Sequence, residues 1–277
     1  MYSNIRGLKG KKLSLTSILH ENEPHIFLLT ETQLRSNTGI AIEGYTFYGR
    51  KREGGTGGGV GILIRNDIRQ NVAPHTSERN IELMWISIRR KNLPPVIMGS
   101  YYGKQETRTN RDEIEREMRL LKEEITEMQN EGEILLAMDG NAKIGILGED
   151  ISRNGRLLLQ LMDDTGLHIM NKSEKCFGKI TRRNTKKEEE KSAIDFIVTN
   201  SKVEKWIKKI TIDEEGLLRI KGRNETDHNT ITIDMIIKNI EKSKREKKTG
   251  WNIRAPAEKW ANFSHQLCML PVCLKNG

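Results

Sequence analysis

Strand-length runs of apolar residues recur along this chain with helical stretches between them, and that pattern restricts it to an α/β fold. The runs fall at residues 26–29, 60–64, 96–102, 134–138, 194–198 and 231–237, with a partly alternating stretch at 81–88, so at least six strands are expected. Ile114, Met118, Leu121, Ile125 and Met128 repeat at helical spacing behind Asn110 and Glu113, a pair set as in a capping box. A second helix is expected to start near Asn154, bury Leu157, Leu158, Leu161 and Met162, and end at Gly166. Leu15, Ile18 and Leu19 mark a third. No run reaches 18 apolar residues, which excludes a membrane-spanning helix.

The 277 residues carry a net charge of +9, and its placement is uneven. Residues 238–277 hold nine Lys/Arg against three Glu, leaving 38 basic and 35 acidic residues before them. The body is nearly balanced and the tail basic. A domain is therefore expected over 1–240, with 241–277 read as a basic linker and the start of a truncated downstream region. Three cysteines, Cys176, Cys268 and Cys273, include no C-x-x-C pair, which argues against a disulfide framework or a thiolate zinc site. The start has four basic residues and no apolar segment behind them, so an intracellular protein is expected.

The most conspicuous cluster, Gly54, Gly55, Gly57, Gly58, Gly59 and Gly61, contains neither a dinucleotide fingerprint nor a P-loop and reads as a turn entering a strand. The chemistry is expected elsewhere, at polar residues on the ends of buried strands. Glu31 follows Phe27, Leu28, Leu29 and Thr30; Asp139 and Asn141 follow the 134–138 run; Asp195 sits in 193–198; Asp227, His228 and Asn229 precede the last run. A lone acid at a strand end is commonly a turn former. Four such positions with one histidine suggest a site at the sheet rim. Carboxylates and amides with a single histidine suit a hard cation, Mg²⁺ or Mn²⁺, and such ions assist phosphoryl chemistry. His20, His25, His75, His168 and His265 lack comparable acid and amide company.

Five segments then carry a family resemblance: Asn4-Ile5-Arg6-Gly7, Leu29-Thr30-Glu31-Thr32, Met138-Asp139-Gly140-Asn141-Ala142, Ala193-Ile194-Asp195-Phe196 and Thr226-Asp227-His228-Asn229. In this order they resemble the motif series of the endonuclease/exonuclease/phosphatase superfamily, and within it the stretches Ser152 to Asn171 and Thr181 to Asp195 are most similar to the endonuclease domain of non-LTR retrotransposon polyproteins. The resemblance implies a four-layer α/β sandwich of the deoxyribonuclease I type, two packed mixed sheets flanked by helices. It implies a DNA endonuclease that nicks by phosphodiester hydrolysis, leaves a 3′-OH for target-primed reverse transcription and acts in the nucleus, with the reverse transcriptase region missing downstream.

On that resemblance Glu31 binds the cation, with Asn4 and Asp227 helping to fix it. Asp139 activates water, Asn141 holds the phosphate and Asp139 in register, and Asp195 orients His228 against a phosphate oxygen. Tyr101 is expected to touch the phosphate or leaving oxygen, and a hairpin with Arg182, Arg183, Lys186 and Lys187 to touch DNA. The alternatives on the same fold are a phosphatase, a base-excision endonuclease, or a catalytically impaired relic.

Overall fold

The computed structural model describes residues 1–35, 40–55, 57–184, 187, 189–222 and 225–240. Met1–Lys242 is one compact unit. The expected linker at 241–277 and Lys186 lie outside the described residues.

Fifteen strands are found among the described residues. They are β1 (Tyr2–Asn4), β2 (Ile26–Thr30), β3 (Tyr45–Arg50), β4 (Val60–Arg65), β5 (Val72–Thr76), β6 (Leu83–Arg90), β7 (Leu93–Tyr102) and β8 (Glu133–Asp139). After these come β9 (His168–Ile169), β10 (Cys176–Phe177), β11 (Arg182–Arg183), β12 (Lys191–Ser192), β13 (Asp195–Thr199), β14 (Ile207–Ile212) and β15 (Ile231–Met235). One mixed sheet runs β10-β14-β15-β1-β2-β4-β3, the other β5-β6-β7-β8-β13-β9, and β11 with β12 forms a separate hairpin.

The alternation of side chains across each strand explains why the sequence reads as unbroken apolar runs: both faces of both sheets are covered. Leu28, Ile62, Ile86, Met98, Leu135 and Ile197 point inward and form the core between the sheets. Phe27, Leu29 and Leu63 point outward and pack with Leu15, Ile18 and Leu19 of α1 (Lys12–Asn22). On the other outer side, Trp85, Ile97, Leu136 and Phe196 meet α2 (Arg111–Glu131) and α3 (Arg153–Thr165). Helix, sheet, sheet and helix give the four layers. Leu136 is fully buried, so Leu136→Ala is expected to cost about 2–5 kcal/mol, read as a lower urea midpoint at unchanged slope.

The helix signals hold with one correction. The hydroxyl of Ser152 accepts from the Gly155 N–H at 3.0 Å to start α3, and Gly166 (φ 65°) ends it in the left-handed conformation. Asn110 does precede α2, but its side chain makes no cap bond there; it bonds Thr107 N and Gln105 O in the preceding loop, so the capping box does not form. α4 (Ser201–Trp206) is a short addition capped by Asn200.

Candidate active site

The inward side chains at one end of the sandwich change from apolar to polar. Along β8 the inward set is Leu135, Ala137 and then Asp139; along β13, read the other way, it is Ile197 and then Asp195. The two strands are antiparallel neighbours with Asp139 opposite Asp195, so two carboxyl groups are forced together on one face. From the other sheet β1 contributes Tyr2 and Asn4, β2 ends at Thr30 just before Glu31, and residues 225–230 bring Asp227 and His228 down before β15. Asn4 is fully buried in a three-residue strand held between β15 and β2.

These groups are tied by short bonds. His228 Nδ1 lies 2.8 Å from Asp195 Oδ2, and its Nε2 faces Asp139 Oδ2 at 3.9 Å. Asn4 Nδ2 donates to Asp139 Oδ2 at 2.8 Å, and the Asn141 N–H donates to Asp139 Oδ1 at 3.1 Å. The Asn141 side chain donates to Gly103 O at 2.8 Å, joining the loops after β7 and β8. Asp139, Asp195 and His228 are all buried, with one ligand atom from each within 4.8 Å of the others.

Four supports were not among the expected site residues. The Tyr2 hydroxyl donates to Asp195 Oδ1 at 2.9 Å; Tyr2 stands two residues before Asn4 on a strand, a spacing that puts both on one face and was the available signal. The Thr181 hydroxyl accepts from Ile194 N and Asp195 N at 3.0 Å each, and the Asn171 amide bonds Asp195 O and Ile197 N. Lys11, buried at 1% exposure, donates its ammonium to the carbonyls of Ile5 and Arg6 and so pins the turn after Asn4.

Charge crowding sets the protonation of the pair. Burial, then the charge of Asp195, pushes the Asp139 carboxyl well above the usual carboxylate range, against the opposing pull of His228 and Asn4. Burial alone would depress the His228 imidazolium, but Asp195 first, then Asp139 and Asp227, outweigh it and push its pKa up to about 9. The surrounding carboxylates thus favour the protonated imidazolium, with Nδ1 directed at Asp195 and Nε2 turned toward Asp139 and Asp227.

Glu31 is half-buried and has φ of 50°, a left-handed conformation that costs a glutamate free energy and recurs at Arg6 (45°) and Gln33 (49°). The glycine cluster holds this segment: Thr32 N donates to Gly59 O at 3.1 Å and Gln33 N to Gly58 O at 2.7 Å. Gly59 has φ of 84°, and a Cβ there would fall 2.7 Å from Thr32 Oγ1, so only glycine fits. The turn expected from sequence is thus a prop for Glu31.

One expected residue lies elsewhere, and others have partners that the sequence did not show. Tyr101 is not at the site: it points to the outer face, fully buried, and its hydroxyl donates to Glu117 Oε1 at 2.6 Å. Its neighbour Tyr102 pairs in register with Asp139, shares its face, and donates to Glu31 Oε1 at 2.7 Å. Asp227, expected to help hold a cation, is engaged by arginines, Oδ2 with Arg182 at 2.7 and 2.8 Å and Oδ1 with Arg6 at 3.5 Å. Although burial raises its carboxyl, the charges of His228 and Arg182 lower it overall, and Oδ2 is committed to the Arg182 guanidinium. Of the hairpin cations, Arg182 is turned to Asp227 and Lys187 to Glu190 at 2.9 Å, while Arg183 is half-buried with its backbone N–H on Asp227 O. Arg182 thus pairs with a carboxylate outside the hairpin and Lys187 with one inside it.

A sandwich whose rim carries an Asp–His pair beside a second buried aspartate has the architecture of a deoxyribonuclease I-like hydrolase. Sequence models agree: "Endonuclease/Exonuclease/phosphatase family" matches residues 1–137 and "Endonuclease-reverse transcriptase" matches residues 96–231. The chain belongs to the endonuclease/exonuclease/phosphatase family. No curated protein sequence matches it. Among solved structures it is similar to the endonuclease domain of TRAS1, a telomere-specific non-LTR retrotransposon, at 18% identity and TM-score 0.65, covering 86% of this chain and 97% of that one. It is also similar to the 3′-5′ exonuclease NExo of Neisseria meningitidis (18%, TM-score 0.67, 85% and 98% covered). A third similar structure is the AP endonuclease LMAP of Leishmania major (11%, TM-score 0.70, 85% and 86% covered). At these identities the likeness establishes the fold.

Proposed function

We propose that this chain is a divalent-metal-dependent DNA endonuclease that nicks by phosphodiester hydrolysis and leaves a 3′-OH able to prime reverse transcription. The observation that carries the reading is the buried His228 held by Asp195 with its Nε2 turned toward the buried carboxyl of Asp139, an acid and a base facing one gap. The match to an endonuclease-reverse transcriptase model over residues 96–231 and the likeness to a retrotransposon endonuclease support the priming role over the other chemistries of the fold.

In the ionised form Asp139 takes a proton from the attacking water, held in place by Asn4 and the Asn141 N–H. His228 donates from Nε2 to a non-bridging phosphoryl oxygen and offsets charge as it develops. Asn141 and Tyr102 hold the surrounding loops through Gly103 and Glu31. The donor set fits a hard cation: Asn4 offers an amide oxygen beside the buried Asp139 carboxyl, and Glu31 offers a carboxylate held in a strained conformation on the loop after β2. Glu31, with the side chain of Asn4, would hold Mg²⁺ or Mn²⁺, which when bound neutralises the leaving 3′ oxygen.

Supercoiled plasmid incubated with the chain and Mg²⁺ is expected to become open circle, with the conversion abolished by EDTA and restored by excess Mg²⁺. Persistence in EDTA would remove the metal from the reaction. Release of phosphate from a 3′-phosphorylated oligonucleotide without any nicking would favour the phosphatase chemistry instead.

A further inference from the structure

Arg6 has no part in the chemistry described so far, yet its position is unusually well determined. It sits two residues after Asn4 with φ of 45°, its N–H donating to Asn4 Oδ1 at 3.1 Å and its carbonyl accepting from the Lys11 ammonium at 3.0 Å. The next residue, Gly7, donates to Glu31 O at 2.7 Å. The backbone of Arg6 is thus locked between the strand that holds Asp139 and the loop that carries Glu31, in a conformation that is costly for arginine. Its side chain is the opposite: 49% exposed and, among the described residues, held only at 3.5 Å, the outer limit of a hydrogen bond, by Asp227 Oδ1.

That same Oδ1 lies 4.0 Å from His228 Nε2. Asp227 therefore stands between the Arg6 guanidinium and the nitrogen that faces the gap, with its other oxygen already bound twice by Arg182. Arg182 therefore holds Asp227 by two close bonds without help from Arg6, whose own hold on that carboxylate is the weaker one. A phosphodiester held at Nε2 has a second non-bridging oxygen to satisfy, Arg6 and His228 both approach Asp227 Oδ1, and a guanidinium binds phosphate oxygens better than a distant, shared carboxylate oxygen.

We infer that Arg6 is a catalytic residue of this chain: its guanidinium leaves Asp227 when DNA binds and holds a non-bridging oxygen of the scissile phosphate beside His228. The inference rests on the phosphodiester reading above and adds to it a phosphate-contacting cation whose gain is greatest when charge builds up on that oxygen.

Single-turnover nicking by the parent, Arg6→Ala and Arg6→Lys is the test, with duplex affinity measured separately on a non-cleavable phosphorothioate duplex. Arg6→Ala is expected to slow nicking ~10²-fold while affinity changes less than ~3-fold, and Arg6→Lys to recover part of the rate, since charge is kept and the planar fork lost. The melting midpoint should stay within about 2 °C, because a long, half-exposed ion pair adds little stability. Nicking by Arg6→Ala at the parent rate overturns the inference, as does a loss of affinity equal to the loss of rate. A fall in melting midpoint that Arg6→Lys does not restore makes Arg6 a brace and overturns it too. A readout without turnover is the Arg6 Nε–H resonance, assigned by its disappearance in Arg6→Lys. It should move when the phosphorothioate duplex is added, and an unmoved signal with duplex bound contradicts the contact. If the parent binds DNA but never nicks it, the endonuclease reading fails while this resonance still decides the Arg6 contact.

Discussion

Asp139→Asn is expected to lower the rate of DNA nicking by ~10²- to 10⁴-fold with little change in duplex affinity, because it removes the base and keeps the shape. The carboxylate is fully enclosed: Asn4 donates to one oxygen and the Asn141 N–H to the other, and the single amide oxygen of an asparagine keeps one of these donors while its NH2 faces the other. What is lost is the ability to take a proton. The variant also removes one of two crowded acids, so the protein should be no less stable than its parent, and the melting midpoint separates chemistry from folding. A large loss of rate at an unchanged midpoint is the expected pair of results; an active Asp139→Asn chain would assign the base elsewhere.

The second large effect lies with His228. His228→Ala is expected to slow nicking ~10²- to 10³-fold, the cost of one preorganised donor to a developing oxyanion. The pH profile gives the sharper test, and its signs follow from the site. A general base works ionised, so activity falls as pH drops through the Asp139 pKa, which burial and Asp195 place above the usual carboxylate range. A donor works protonated, so activity falls as pH rises through the His228 pKa at about 9. The profile of kcat/KM should be a bell. Asp195→Asn removes the largest influence raising the imidazolium, so the alkaline limb should move toward lower pH, in the direction of the ordinary histidine value near 6.5 and against an unchanged limb for a histidine oriented by other groups.

Much of this site was readable because buried strands announce where they end. Leu28, Leu29 and Thr30 before Glu31, and Leu136, Ala137 and Met138 before Asp139, mark the rim by the change from apolar to acidic, and residues at the rim of two packed sheets have few places to go. What failed to show was parity. Whether Tyr101 or Tyr102 faces the site depends on the register of β7 against β8, a pairing between strands 30 residues apart that local pattern does not fix. Tyr101 faces outward because Glu117, which sequence places on a helix without saying that it is buried, is there to accept its hydroxyl. The unread strands have similar causes: β5 carries Pro74 on a sheet edge, β14 interrupts its isoleucines with Lys208 and Lys209, and β3 is half-exposed and aromatic. Asp227 was read as a ligand because charge in a motif is visible and its partners are not; Arg6 and Arg182 reach it from 221 and 45 residues away in sequence.

The glycine cluster illustrates a different limit. Its spacing excluded a phosphate loop, and the turn it forms has no chemistry of its own, yet its carbonyls hold the Glu31–Gln33 segment by two bonds that no composition could reveal.

The most direct test of the account is the chemistry of the nick itself. A supercoiled plasmid opened by the parent chain in Mg²⁺ should be extended by a DNA polymerase at once, without treatment of its ends, because water activated at Asp139 attacks phosphorus and the 3′ oxygen leaves. A plasmid that stays closed under conditions where the chain is folded and bound to DNA, or a nick that is extended only after a 3′-phosphate has been removed, would contradict it.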